Sequence, residues 1–168
     1  MKDRFLKQVK SFYYAIRGFL SVFVTESHMR FHLCTALFVL FFANKFYRLT
    51  SAQLAVLILT ISSVFITEIV NTSIERLSDA VTKEYSKYIK FAKDSAAGAV
   101  LVAAITSIIV AFILLFDISV FKFIAMYYAT HILRLSVLIL CVVVAFLFVA
   151  VKPESYLKLF KKDDTYKF

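Results

Sequence analysis

The run "SAAGAVLVAAITSIIVAFILLF", residues 95–116, carries no charged side chain from end to end. About 20 apolar residues in succession are what a helix needs to cross the hydrocarbon of a bilayer, and a helix satisfies its own backbone there. Three further stretches have comparable length: residues 28–47, 52–70 and 132–151. With 61% hydrophobic residues and a mean hydropathy of +0.82, the chain reads as an all-α integral membrane protein with four spans.

Ahead of the first span, Phe5, Leu6, Val9, Phe12, Tyr13, Ile16, Phe19 and Leu20 recur at helical spacing, with Arg4, Lys7, Lys10 and Arg17 mostly elsewhere. That pattern predicts an amphipathic helix lying in the membrane surface, with a bend expected near Gly18 and residues 21–27. No cleavable signal peptide is expected, because residues 1–20 have no uninterrupted apolar core. Residues 117–131, "DISVFKFIAMYYATH", read as an interfacial connector, and Pro153 with a basic tail is expected to end the fourth span.

The net charge of +9 would suggest nucleic acid in a soluble protein, but no nucleic-acid motif accompanies it, and flanking lysines facing anionic lipid explain it. The distribution also sets orientation. Six basic residues lie in positions 1–30, five in 71–94 and five from Lys152 onward, whereas the opposite side has only Lys45, Arg48, Lys122 and Arg134. The side rich in Lys and Arg is cytoplasmic. Cys34 and Cys141 are far apart in apolar segments and read as small buried hydrophobes, not as a disulfide or metal pair.

Against this background the segment "TEIVNTSIERLSDA", residues 67–80, is anomalous. At about 100° per residue, Glu68, Asn71, Glu75 and Asp79 share one stripe of about 80° on a helix. A charged side chain at the bilayer centre costs about 2.5–3.5 kcal/mol even on lenient scales, so such acids are functional candidates. The ligands on offer are oxygens, which favours Mg²⁺ over Zn²⁺. From periodicity alone the choice lies between a metal–nucleotide site and an ion-conducting path, beside the bland reading of a solvated helix end.

A second constellation is "AKDSAAGAVL", residues 92–101, where Asp94 or Ser95 is expected to cap the third span and Lys93 adds a mobile charge. Ala96, Ala97, Gly98 and Ala99 leave the helix surface low, for another helix or for a ligand. Two glycines in the whole chain exclude a Walker A loop and a glycine-rich kinase loop. His28 and His32 form an H-x-x-x-H pair, read as interfacial hydrogen-bonding groups in preference to a zinc site.

The elements "E-I-V-N-T-S-I-E-R-L-S-D", "E-Y" and "A-K-D-S-A-A-G-A-V-L", with "T-E-S-H-M-R-F-H-L" at residues 25–33, closely resemble the small bacterial diacylglycerol kinase and undecaprenol kinase family. The resemblance covers residues 5–116 or so. It implies an ATP- and Mg²⁺-dependent kinase acting on the hydroxyl of a membrane lipid, built as a homotrimer of three-span protomers with a surface helix. It also implies a place in the bacterial cell membrane. Glu68 would be the general base, and Glu26 and Glu75 would hold Mg²⁺. Tyr14, Asn71, Asp79, Glu84, Tyr85, Lys93 and Asp94 would bind the nucleotide. Arg30, His32, Ala97 and Gly98 would meet the lipid, and "R-F-H" at residues 30–32 resembles the undecaprenol kinase branch. On this reading residues 1–117 form the kinase unit, and residues 118–168 are an extension that departs from the three-span pattern.

Overall fold

The computed structural model describes residues 2–151, with side chains from residue 4 onward; the tail from Lys152, with Pro153, lies outside the described residues. Six helices follow in order: α1 (Lys2–Thr25), α2 (Ser27–Phe46), α3 (Ser51–Val81), α4 (Lys87–Leu115), α5 (Ile118–Ala129) and α6 (Ile132–Ala150). Among the described residues there is no strand, and α2, α3, α4 and α6 are long and apolar enough to cross a membrane. The protein is an all-helical, multi-pass membrane protein.

α1 runs unbroken through Gly18, and the bend falls within the other part of the expected stretch, residues 21–27. The chain turns at Glu26, which is extended (φ −102°, ψ 120°) between two helices. Phe5, Phe12 and Ile16 are exposed, as a face resting in the membrane surface requires. The end of α1 is pinned inward by Phe23, whose ring lies 4.8 Å from Phe19 and 5.9 Å from Phe65 of α3.

The bundle core is narrow and regular. Met29, Ala36 and Ala43 of α2, Leu57 and Val64 of α3, and Ala96 and Ala103 of α4 are buried at seven-residue spacing. That period is the signature of left-handed, nearly parallel helix packing, and the alanines let backbones approach closely. α3 and α4 form the most extensive pairing, an antiparallel hairpin closed by residues 82–86.

Both hairpin helices are longer than a membrane is thick. α3 opens on a capping box in which Thr50 Oγ1 accepts from Gln53 N (3.3 Å) and Gln53 Oε1 accepts from Thr50 N (2.9 Å). Its 31 residues extend about 46 Å, and about 20 of them cross the hydrocarbon. Counting from Ser51, the far boundary falls near Val70. Glu68 is then just inside it, and Asn71, Glu75 and Asp79 emerge from it.

α4 begins at Lys87, not at the expected cap at Asp94 or Ser95. The segment "KYIKFAKD" holds no Gly or Pro to stop the helix, so the polar residues before the span simply extend it into water. Residues 117–131, expected as an interfacial connector, hold the short helix α5. Asp117 caps α5 by accepting from Ser119 N at 2.7 Å and Val120 N at 3.3 Å.

On that side of the membrane Phe42, Phe46, Phe123, Tyr127 and Tyr128 form an aromatic belt, with Arg134 4.2 Å and Lys45 5.2 Å from the Tyr127 ring. Tyr47 donates to the carbonyl of Leu115 at the end of α4. Burial, and then the charge of Asp117, push its phenol up, which keeps it a donor. Cys34 is half-buried, and Cys141 is exposed on α6, not buried as expected, because none of the most apolar window of α6 is covered by protein.

α6 is nonetheless attached to the core. Arg30 of α2 is 1% exposed, and its guanidinium donates to the carbonyls of Val24 (2.8 Å), Val149 (3.2 Å) and Val151 (2.9 Å). The carbonyls at the end of α6 have no intrahelical partner and carry the negative end of its dipole, so a cation there caps the helix. Arg30→Ala should lower the stability of the full-length protein by about 2–4 kcal/mol. Arg30→Lys should recover only part, because lysine lacks the planar fork that reaches two helices. Thermal unfolding in detergent checks this, and unchanged midpoints for both variants would show that α6 is held by other contacts.

Candidate active site

The acidic stripe lies on one unbroken helix, as the 100° arithmetic requires. Glu68 is 4% exposed, the most enclosed acid in the described chain. It lies within electrostatic reach of His28, Glu75 and Glu26, so α2, α3 and the α1–α2 break converge on it in a single chain. One to two turns further out, Asn71 Nδ2 donates to Glu75 Oε1 at 3.0 Å. This orients the carboxylate and leaves Asn71 Oδ1 buried, with no hydrogen-bond partner among the described residues. A buried acceptor of that kind is open to a water, a cation or a donor from a ligand.

Two ion pairs flank the stripe. On one side Arg76 Nη2 lies 3.0 Å from Glu26 Oε1. On the other, Lys93 Nζ of α4 lies 2.9 Å from Asp79 Oδ1. Glu26 is placed by the break between α1 and α2. It stands at the N-cap position of α2, yet its side chain makes no capping bond and turns to Arg76.

Beyond Asp79, the end of α3, the turn and the start of α4 enclose an open cavity of about 610 Å³. Of the residues expected at a nucleotide, Asp79, Glu84, Tyr85, Lys93 and Asp94 line it. Asn71 and the exposed Tyr14 of α1 do not. A second, apolar cavity of about 140 Å³ lies at membrane depth between α2, α3 and α4, lined by His32, Ala36, Leu57 and Val64 among others. Val64 is one helical turn below Glu68.

The four residues expected at lipid separate. His32 lines the apolar cavity. Arg30 is turned away into the carbonyls of α1 and α6, because its donors cap helix ends there. Ala97 is exposed, and a Cβ added at Gly98 would meet nothing within 4 Å. Helix packing within the chain uses Ala96 and Ala103 instead. Among the described residues no three or more His, Cys, Asp or Glu gather as a metal cluster, and His28 and His32 form no such group.

Sequence reasoning passed over Arg76 and Lys90. Arg76 sits inside the segment that drew attention for its acids. Lys90 lines the larger cavity three residues before Lys93, on the same helical face, a relation visible only once residues 87–94 are read as helix.

Four spans, a row of acids and amides where one helix leaves the hydrocarbon, and a lysine-lined cavity beyond it define a membrane protein with a polar site at the bilayer edge. The chain belongs to the prokaryotic diacylglycerol kinase family, whose model matches residues 13–115. That match ends with α4, so α5 and α6 lie outside it. Over 101 residues, 60% of this chain, it is 42% identical to a diacylglycerol kinase from Synechocystis sp., of which the match spans 57%. Over 101 residues it is also 37% identical to an undecaprenol kinase from Bacillus subtilis, of which the match spans 81%. No solved structure matches the chain.

Lys93→Met tests the cavity. Its affinity for a fluorescent ATP analogue should fall about tenfold to a hundredfold, the loss expected for a hydrogen bond to a charged group. Stability should change little, because an exposed pair holds weakly. Unaltered affinity would place the nucleotide elsewhere.

Proposed function

We propose that this protein is an ATP- and Mg²⁺-dependent lipid kinase that phosphorylates undecaprenol to undecaprenyl phosphate. The observation that carries the reading is Glu68, an enclosed carboxylate just inside the membrane boundary, beside Asn71 and Glu75 and a helical turn above an apolar cavity. The family membership supports phosphoryl transfer to a lipid. The acceptor hydroxyl cannot leave the bilayer, and Glu68 lies at the depth where a lipid's polar end meets water.

The donor set suits a hard cation carried by phosphate. Mg²⁺ takes one or two carboxylates and completes its shell with phosphate and water oxygens. Glu75, Glu26 and Asn71 Oδ1, which has no hydrogen-bond partner among the described residues, are all oxygen donors. Glu75 and Glu26 would hold the ion, which when bound neutralises charge on the β- and γ-phosphates. Lys93 would bind the polyphosphate end of ATP, with Asp79, Glu84, Tyr85 and Asp94 on the cavity wall, while Tyr14, expected at the nucleotide, stands outside that wall on α1.

Glu68 would accept the proton of the lipid hydroxyl as its oxygen bonds to the γ-phosphorus. The bond from that phosphorus to the bridging oxygen breaks, and ADP departs. His32 and the aliphatic wall around it would receive the first part of the lipid chain, with Ala97 and Gly98 leaving room beside α4. The aliphatic side chains of this wall suit a plain hydrocarbon, which favours a polyprenol. The identity to the Synechocystis relative favours a second reading, a diacylglycerol acceptor. With residues 1–117 as the kinase unit, the same proposal carries a homotrimer in the bacterial cell membrane. Its site would face the cytoplasm, where the basic residues concentrate.

In a transfer assay with purified protein and labelled ATP, Glu68→Gln should lower kcat by about 10²- to 10⁴-fold while leaving nucleotide affinity near wild type. Transfer at the wild-type rate would remove Glu68 from the role of base. Assayed side by side at equal surface concentration, undecaprenol should exceed diacylglycerol in kcat/KM, and the reverse order would assign the second reading.

A further inference from the structure

Glu26, one of the two carboxylates proposed to hold the metal, is not a ready ligand in this structure. Its Oε1 is met by Arg76 Nη2 at 3.0 Å and by Thr25 Oγ1 at 3.0 Å, and Arg76 also donates to that same hydroxyl. The three side chains close on one another at the point where α1 breaks into α2. Arg76 is turned about 100° from its neighbour Glu75 on α3, so one helix carries both a proposed metal ligand and the cation that occupies the other.

The pair is poised to open. Its side chains are 39% and 29% exposed, so neither charge would be stranded in a dry interior if they part, and a pair this wet holds weakly. A metal–polyphosphate brings one charge of each sign to this corner. It offers a cation to Glu26 and phosphate oxygens to Arg76, whose fork matches them. The exchange replaces one attractive pair with two and strands no charge. A metal ion alone offers nothing to Arg76.

Resting on the reading of this site as a metal–nucleotide centre, we propose that Arg76 is a positioning residue that competes with the divalent cation for Glu26. Metal is then admitted chiefly with its nucleotide, and Arg76 passes from Glu26 to phosphate when it arrives. The coupling is reciprocal, so nucleotide tightens metal and metal tightens nucleotide by the same factor.

The test is Mn²⁺ binding followed by electron paramagnetic resonance on the full-length protein, alone and with a non-hydrolysable ATP analogue. Arg76→Gln should bind Mn²⁺ alone about fivefold more tightly than wild type, the factor a half-exposed ion pair supplies. It should bind Mn²⁺ with the analogue more weakly, so that the coupling between the two ligands shrinks. Thr25→Val removes the shared hydroxyl without altering any charge, and should tighten Mn²⁺ alone by about twofold. It decides the matter if Arg76→Gln does not fold. Unchanged or weaker Mn²⁺ binding in the folded variants would overturn the proposal and leave Arg76 as a staple between α3 and the α1–α2 break. If the wild type binds no Mn²⁺ even with the analogue, the metal–nucleotide reading falls, and this proposal with it.

Discussion

Negative charge at the edge of a hydrocarbon layer must be matched by positive charge or by hydrogen-bond donors, and the arrangement around α3 follows from that requirement. Glu26 has Arg76, Asp79 has Lys93, and Glu75 has the amide of Asn71. Glu68 is the deepest of the four acids, enclosed at 4% exposure and surrounded by groups that act on it electrostatically. The pairs join three parts of the chain, the α1–α2 break, α3 and α4, so the same interactions that make the acids tolerable also assemble them. In a membrane, where apolar burial between helices contributes little, such polar contacts and the close approach of small residues hold a bundle together.

Helix length converts this chemistry into position. Because α3 and α4 both overshoot the hydrocarbon, their polar ends stand together in water as a hairpin, and the stripe crosses the boundary between Glu68 and Asn71. On the proposed reading, the acceptor's side of the reaction and the nucleotide's side then meet on one rigid element. α6 lies outside the family match but is not remote from this machinery. Its last carbonyls are capped by Arg30, which also binds the carbonyl of Val24, two residues before Glu26.

The spans, the surface helix and the acidic stripe were legible because hydropathy and the 3.6-residue period are local properties of the chain. Helix ends were less so. The cap expected at Asp94 or Ser95 marks only where the apolar run begins, whereas lysines and tyrosines continue a helix readily in water, so α4 starts at Lys87. Gly18 looked like a hinge but sits in an intact helix, since one glycine costs a helix only about 1 kcal/mol. What no local pattern discloses is which long-range partner a charge takes. Arg30, expected at lipid, caps α6 over a hundred residues away, and Arg76 meets Glu26 across the bundle.

On the proposed reading, the acids at this boundary exist to be neutralised by a metal–nucleotide complex beside a lipid alcohol. Titration calorimetry of the full-length protein in lipid nanodiscs, with ATP in the presence and absence of Mg²⁺, tests it most directly. Saturable binding that strengthens when Mg²⁺ is supplied is the expected result. A well-folded protein that shows no binding heat with ATP, with or without Mg²⁺, would contradict it.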